Sequence, residues 1–424
     1  VRDDPDALVI GGGVVGLFCA YHLCRTGASV AVVERGLVGG PQSCSYGNTG
    51  FVGTQGAVPL AEPGVLAQGM RWLLSPESPF YIRPRADGEL LRWLWNFRRA
   101  CNETAAMAGF HVLVQMKQRS LDILREVCAS NGLAPTLTAR GMVLAFKTRD
   151  GFEKARRSVP WQVAAGVPLR VLSSEELRAL EPQVELDVWG ALYNEEGAFV
   201  HAPDFVIELA RLVAAMGVDV YAETDVAGFE VANDVVRLVK TTRGAFRPRE
   251  VVIAAGAWSS RLARQLGTGL LLQAGKGYSV TVKAPAGAPT RPLLLSEGKV
   301  AVTPLGGRLR FGGTLELAGM NAAVTQRRVD GILRTVRSYL PGVEATETME
   351  VWSGLRPLSP DGLPFIGRAE PYRNVSIGTG HGHIGMGLAP VTGRLIAQII
   401  AGEELDMDLA PLSVSRYGRR AGRL

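Results

Sequence analysis

The chain's 424 residues, 47% hydrophobic and 20% charged, can bury a large core in two domains; mean hydropathy is +0.12, and the lack of any apolar run of about eighteen residues excludes a transmembrane helix. A net charge of +6 is modest, and no basic face interleaved with aromatics speaks for nucleic acid. Five cysteines without a C-x-x-C pair argue against a disulfide framework or dithiol centre, and five histidines without clustered Cys/His spacing argue against a structural metal.

Residues 7–10 are an apolar run that reads as a buried strand. Gly11, Gly13 and Gly16 follow in G-x-G-x-x-G spacing, residues 17–23 read as a helix, and residues 29–33 as a second strand ending at Glu34. Strand, glycines, helix, strand and acid in this order form a dinucleotide-binding pattern. Gly11 permits the tight turn, Gly13 lets the backbone approach a pyrophosphate, and Gly16 lets helix and strand pack closely. The helix N-terminus offers free N–H groups to phosphates. Glu34 is placed to accept ribose hydroxyls and would repel a 2′-phosphate, which argues against NADP; the pattern leaves NAD and FAD open. Residues 35–50 are small, polar and glycine-rich, and such a loop either lines a ligand or lies plainly on the surface. Ser45, Asn48 and the backbone at Thr49 and Gly50 are its candidates for bonding a polar ring system.

The block 65–195 carries no nucleotide signature and reads as a substrate-facing domain. Helical pieces at 70–74 and 90–99 are joined by a Pro-rich connector. The second presents Trp93, Trp95 and Phe97 beside Arg92, Arg98 and Arg99, a composition for core packing or for a membrane or partner surface. An amphipathic helix is expected over 112–131, a strand over 136–146, a helix over 149–159 and a strand over 168–172. Ser173 then caps a short helix with Glu176 three positions on, and 190–193 is another strand.

The first domain then resumes with a helix over 204–216, strands at 217–221 and 225–231, and a hairpin through Asn233-Asp234. A buried strand over 249–255 breaks at Gly256. Strands at 273–282, 300–304 and 309–313 and a helix over 324–339 complete the second domain. The chain closes with Gly354-Leu355-Arg356-Pro357, a strand at 375–377, and a glycine loop over 378–387 that opens a helix through residue 400. The tail from Arg416 is expected to be a solvated, disordered end, with an anionic lipid surface as its alternative partner. Residues 1–5 lack the apolar core of a signal peptide, so the expected location is cytoplasmic, with peripheral contact on the inner membrane face as a variant.

Four pieces taken in order carry a resemblance: Gly11 to Gly16 with Glu34; Ala254-Ala255-Gly256-Ala257-Trp258; Gly354-Leu355-Arg356-Pro357; and Gly380-His381-Gly382-His383-Ile384-Gly385. Together they resemble the FAD-dependent D-amino acid oxidase superfamily (DAO family). Residues 45–50, the pair at Trp72 and Trp93, and Lys276-Gly277-Tyr278-Ser279 are similar to its bacterial D-amino acid dehydrogenase branch. The resemblance implies an α/β fold with an α+β second domain. A Rossmann-like FAD-binding domain of the glutathione-reductase type would comprise 1–64, 196–271 and 350–410. A discontinuous substrate domain with an antiparallel β-sheet would comprise 65–195 and 272–349, leaving 411–424 as a basic tail.

The resemblance also implies residue roles. Val14 and Val15 would touch FAD beside the glycines. Glu34 and Arg35 would hold the adenosine ribose, and Ser45, Asn48, Thr49 and Gly50 would sit by the isoalloxazine. Val226 would meet adenine, Ala255, Gly256 and Trp258 would pass the pyrophosphate side, and Gly382, His383, Ile384 and Gly385 would lie at the flavin. The implied reaction is oxidative deamination: hydride leaves the α-carbon for flavin N5, and water hydrolyses the imino acid to a keto acid and ammonia. Arg356 would fork onto the amino acid's carboxylate, Tyr278 would add a hydroxyl to it or pack in its strand, and Lys276 would lie near the flavin. Three other readings stay open: an oxidase or dehydrogenase of secondary amines such as glycine, sarcosine or hydroxyproline; a flavin subunit of a larger electron-transfer complex; and, more distantly, an NAD dehydrogenase. The sequence does not choose between oxygen and a quinone as electron acceptor.

Overall fold

The computed structural model describes residues 4–73, 78–133, 136–343 and 347–418. Of the aromatic pair at Trp72 and Trp93, the Trp72 side chain lies outside the described residues.

Ala7–Ile10 and Val30–Val33 are buried at every position, which suits strands covered on both faces. They form the centre of a six-stranded sheet in the order Phe365–Arg368, Val375–Thr379, Glu250–Ile253, Ala7–Ile10, Val30–Val33, Asp219–Tyr221. All neighbours are parallel except the first pair. Helices Val14–Arg25 and Gly385–Ala401 pack on one face, their buried residues Leu17, Phe18, Leu388 and Leu395 sharing one core. The Asn233-Asp234 turn takes left-handed backbone at both residues, φ 54° and 58°, as a tight hairpin requires.

The second sheet has nine strands. Its path runs Thr348–Leu358, Gln273–Lys283, Arg308–Leu317, Val300–Pro304, Leu293–Leu295, Met142–Phe146, Gly190–Asn194, Leu169–Leu172, with Phe80–Ile82 alongside Arg308–Leu317. It is antiparallel except where Leu293–Leu295 meets Met142–Phe146 and where Phe80–Ile82 joins. Helix Gln326–Tyr339 covers one face through Val329, Ile332, Val336 and Tyr339.

Four expectations need correction. The helix foreseen over 112–131 begins at Glu103, with Asn102 accepting from the Ala105 amide, and runs to Ser130. Its Phe110, Leu113, Val114 and Met116 join the core of Leu17 and Phe18, so a piece of the presumed substrate block walls the nucleotide domain. The domain boundary placed at residue 350 falls inside strand Thr348–Leu358 of the larger sheet. The strand foreseen over 136–146 is two: Leu137–Ala139 pairs with Ala198–Val200, and Gly141, at φ 74°, turns the chain into Met142–Phe146.

The described part of the tail is packed rather than disordered. Arg416 forks Asp361 at 2.8 and 3.0 Å and lies 3.8 Å above the Phe365 ring. The aromatic helix, Gly88–Ala100, divides its faces: Trp93 is buried, stacks on Phe97 and donates to the Leu358 carbonyl at 2.9 Å, while Leu91 and Trp95 are 65% and 58% exposed.

Candidate cofactor and substrate site

Gly11 takes φ +116°, and a Cβ there would lie 2.5 Å from the Ala254 carbonyl oxygen; a Cβ on Gly16 would lie 1.8 Å from the Gly11 oxygen. Turn and close packing both demand glycine at these two positions. Gly13 differs. Its nearest neighbour to an added Cβ is Ser45 Oγ at 3.5 Å, so the protein itself does not require the missing side chain. The space it leaves opens into a cleft of about 1030 Å³, counting the mouth, bounded by Gly11, Gly13, Val14, Val15, Glu34 and Arg35.

Ser45 Oγ accepts the Val14 amide at 3.1 Å, tying the 35–50 loop to the start of helix Val14–Arg25; the other first-turn amides have no partner within the helix. Glu34 accepts from the amides of Gly12, at 2.7 Å, and Gly36, at 3.0 Å. Each carboxylate oxygen keeps acceptor capacity for a further donor. Arg35 lies 3.4 Å over the Trp258 ring, and both line the cleft with Val226, Ala255 and Gly256. The sequence reading missed Asp225 and Arg261, which also line it and pair at 3.1 Å. Their only signal was position next to Val226 and one turn beyond Trp258.

The far end of the cleft is made by Cys44, Ser45, Asn48, Leu355, Pro357, His381, Gly382, Gly385 and Met386. Asn48 Oδ1 accepts the Gly50 amide at 2.7 Å. Thr49 and Gly50 are not among the lining residues: Thr49 presses on Gly312 and Gly50 on the Val200 carbonyl. What fixes the loop is Arg310, which donates to the Tyr46 carbonyl at 2.8 Å and the Asn48 carbonyl at 3.3 Å, with Glu350 at 3.3 Å behind it. The sequence reading did not single out Arg310; its one signal was a charged residue inside an apolar strand.

Arg356 sits between Leu355 and Pro357, so strand alternation sends its side chain to the other face. There it lies over Gly277, where an added Cβ would be 2.1 Å from the guanidinium carbon. It donates to the Thr314 carbonyl at 2.8 Å and pairs with no carboxylate among the described residues. Cys44 lies close enough to feel its charge, but burial dominates and pushes the thiol up to about 11, which keeps it protonated.

Lys276 and Tyr278 lie opposite Leu355 and Ser353 in the strand pairing and so face away from Arg356. The Tyr278 hydroxyl donates to Glu316 at 2.6 Å, the Lys276 ammonium lies 2.9 Å from the same carboxylate, and Arg328 donates to its other oxygen at 3.0 Å. Burial acts to raise the Glu316 value, but these bonds and the Lys276 charge hold it below the ordinary carboxylate range. Tyr278 therefore does not share a face with Arg356 and is held within its sheet, which agrees with the strand-packing reading of this residue; Lys276 belongs to the same buried ionic cluster, and neither is among the residues that line the cleft.

In the last glycine loop Gly382 and Gly385 line the cleft, whereas Ile384 packs on the core and His383 is exposed outside the lining. Crowding, Arg356, Lys117 and Lys299 all push the His383 imidazole below its ordinary value; its open surface keeps water and weakens that push. His381 is buried, bonds Thr392 Oγ1 at 2.9 Å, and is held down to about 3 by burial.

The family model for FAD dependent oxidoreductase (DAO) matches residues 6–399. The D-amino acid dehydrogenase of Granulibacter bethesdensis is 33% identical over 97% of this chain and 99% of its own length, and that of Agrobacterium fabrum is 31% identical over 96% and 99%. Among solved structures, glycine oxidase from Geobacillus kaustophilus superposes with a TM-score of 0.78 at 25% identity, covering 97% of this chain and 98% of its own. L-proline dehydrogenase from P. horikoshii gives a TM-score of 0.77 at 19% identity and 98% coverage of both chains, a likeness of fold. A family match across nearly the whole chain and a nucleotide cleft built as described lead to one conclusion: the chain belongs to the DAO family of FAD dependent oxidoreductases.

Proposed function

We propose that this FAD-dependent oxidoreductase oxidises D-amino acids at the α-carbon, releasing an imino acid that water hydrolyses to a keto acid and ammonia. The residues present fit the cofactor: the open place at Gly13, the amides at the start of helix Val14–Arg25, and the spare acceptor capacity of Glu34 suit a pyrophosphate and a ribose. Bound FAD supplies the hydride acceptor. The protein supplies position.

The observation that carries the reading is Arg356. A half-buried guanidinium on the strand that lends Leu355 and Pro357 to the cleft, anchored by one carbonyl and without a carboxylate partner among the described residues, suits a carboxylate ligand that approaches by two parallel hydrogen bonds. The relatives named D-amino acid dehydrogenase support the substrate class; the likeness to a glycine oxidase supports small amines as a second reading. Anaerobic addition of a panel of D-amino acids, glycine and sarcosine, followed by flavin bleaching, separates the two. Arg356→Ala and Arg356→Lys are expected to raise KM for the amino acid by about a hundred-fold or more, two charge-assisted bonds being worth roughly 3 kcal/mol, while flavin content stays intact. Unchanged kinetics would remove Arg356 from the site.

No helix among the described residues is long and apolar enough to cross a membrane. The exposed Leu91 and Trp95, with Arg98 5.9 Å from the Trp95 ring, support peripheral contact with an anionic lipid surface, where a quinone acceptor would lie. Co-sedimentation with anionic vesicles checks this, and a Trp95→Ser variant that sediments like the parent would refute it.

A further inference from the structure

We propose that Asp225 and Arg261 read the base of the cofactor: the carboxylate accepts from the 6-amino group of adenine and the guanidinium donates to the neighbouring ring nitrogen, so that the cleft selects adenine over a 6-oxo purine. The role requires a flavin dinucleotide in the cleft and nothing of the substrate.

The lining of the cleft sets the direction in which the cofactor lies. Gly13 and the first amides of helix Val14–Arg25 suit the pyrophosphate, and Glu34 suits a ribose. From there one end of the cleft leads to Leu355 and Pro357, the residues on either side of Arg356, so the reacting ring belongs at that end. The base of an extended dinucleotide then lies at the other end, beyond Glu34. The chain there is tied to Glu34 itself: the amide of buried Thr224 donates to the Glu34 carbonyl at 2.7 Å. The next residue is Asp225.

This end has the character of a purine slot. Val33, Val226 and Leu262 line it and belong to one apolar core, which suits the faces of a flat ring. Asp225 and Arg261 add a polar edge. Asp225 is fixed from behind, its amide donating to Thr242 Oγ1 at 3.1 Å and its carbonyl accepting the Thr242 amide at 2.9 Å. Its pairing with Arg261 is an open one. A single guanidinium nitrogen reaches both carboxylate oxygens, at 3.1 and 3.3 Å, in place of the two parallel bonds of a closed fork. Acceptor capacity on the carboxylate and donors on the other guanidinium nitrogens are left for a ligand. Side by side, the two groups present an acceptor next to a donor. Adenine presents the complement along one edge, an amine donor beside the N7 acceptor; a 6-oxo purine presents two acceptors there. Adenine would satisfy both groups, whereas the 6-oxo base would turn a lone pair against the carboxylate.

The test loads the full-length protein with FAD, or with the flavin dinucleotide that carries hypoxanthine in place of adenine, and follows the flavin released on dilution by its fluorescence. No amino acid is present, so the readout is independent of turnover. The parent is expected to hold FAD about ten-fold more tightly, near the low end of what a well-placed pair of base contacts discriminates, because the pair faces solvent. Asp225→Asn should bring that ratio close to one by weakening FAD alone, and Asp225→Glu should retain most of it. Arg261→Met should weaken both flavins by a similar factor and leave the ratio in place, since N7 accepts in either base. A parental ratio near one, or a ratio that survives Asp225→Asn and is lost in Arg261→Met, would overturn the proposal. An Asp225→Asn variant that releases both flavins as the parent does would overturn it too, and would leave the ion pair as a closure at the mouth of the cleft.

Discussion

Replacing Gly277 by alanine tests the clamp without touching it. Gly277 lies inside strand Gln273–Lys283 on ordinary extended backbone, directly opposite Gly354, so alanine fits the main chain. The added Cβ would stand 2.1 Å from the Arg356 guanidinium carbon and 2.2 and 2.5 Å from its terminal nitrogens. Relaxed non-bonded carbons sit about 3.5–4.0 Å apart, so the guanidinium must retreat by roughly 1.5 Å. A displacement of that order in a positioning group costs about a hundred-fold in rate, or roughly 2.7 kcal/mol of transition-state stabilisation. Gly277 does not line the nucleotide cleft, so flavin content and the visible spectrum should match the parent. The assay is anaerobic reduction of the bound flavin by the best D-amino acid, with KM and kcat separated. The sharper measurement is the cycle with Arg356→Ala: in the double variant the alanine has no guanidinium to displace, and its effect should disappear. A Gly277→Ala variant with parental kcat/KM, or one whose cost persists in the Arg356→Ala background, would refute the reasoning.

Gly13→Val should give a folded protein that fails to take up FAD, with affinity lowered by about a hundred-fold or more, because the side chain enters the space left for the pyrophosphate; flavin release on filtration checks it. Glu316→Ala should lower stability by about 3–5 kcal/mol, since it strands two buried cations, Lys276 and Arg328; a urea-midpoint change below about 1 kcal/mol would count against the cluster. His381 supplies a pH dependence. Its value falls from 6.5 to about 3 on folding, so the unfolded chain takes the proton first as pH drops, and stability is lost from about pH 6.5 downward. At pH 5 that loss is roughly 2 kcal/mol, and His381→Gln should show a correspondingly smaller drop in urea midpoint between pH 7 and pH 5.

The nucleotide half of the site was legible because its physics is local. Glycine spacing, two fully apolar strands and an acid at the end of the second lie within forty residues, and each constraint acts on near neighbours. The composition of the loop over 35–50 suited the border of a cleft, which Ser45 and Asn48 line, yet said nothing of its anchoring, because Arg310 and Trp352 reach it from strands more than 250 residues away. Arg416 was misread for the same reason: a run of arginines near the end of the chain says nothing of Asp361, which binds it 55 residues earlier.

The substrate half shows a different obstacle. Lys276-Gly277-Tyr278-Ser279 drew attention to the residues with chemistry, Lys276 and Tyr278, and both turned to the far face to neutralise Glu316. Period-two alternation alone would have separated them from the glycines beside them. Gly275 and Gly277 face the clamp because a side chain at either place would collide with what lies there, Leu358 at one and Arg356 at the other. On this sheet the empty positions leave room for the guanidinium, and the bonded, charged positions on the opposite face hold the sheet together. Arg356 reaches across the glycine-bearing strand Gln273–Lys283 to the Thr314 carbonyl. A carbonyl anchor holds a guanidinium in place without cancelling its charge, so the proposed role of Arg356 asks for no internal salt bridge to be broken before a carboxylate arrives.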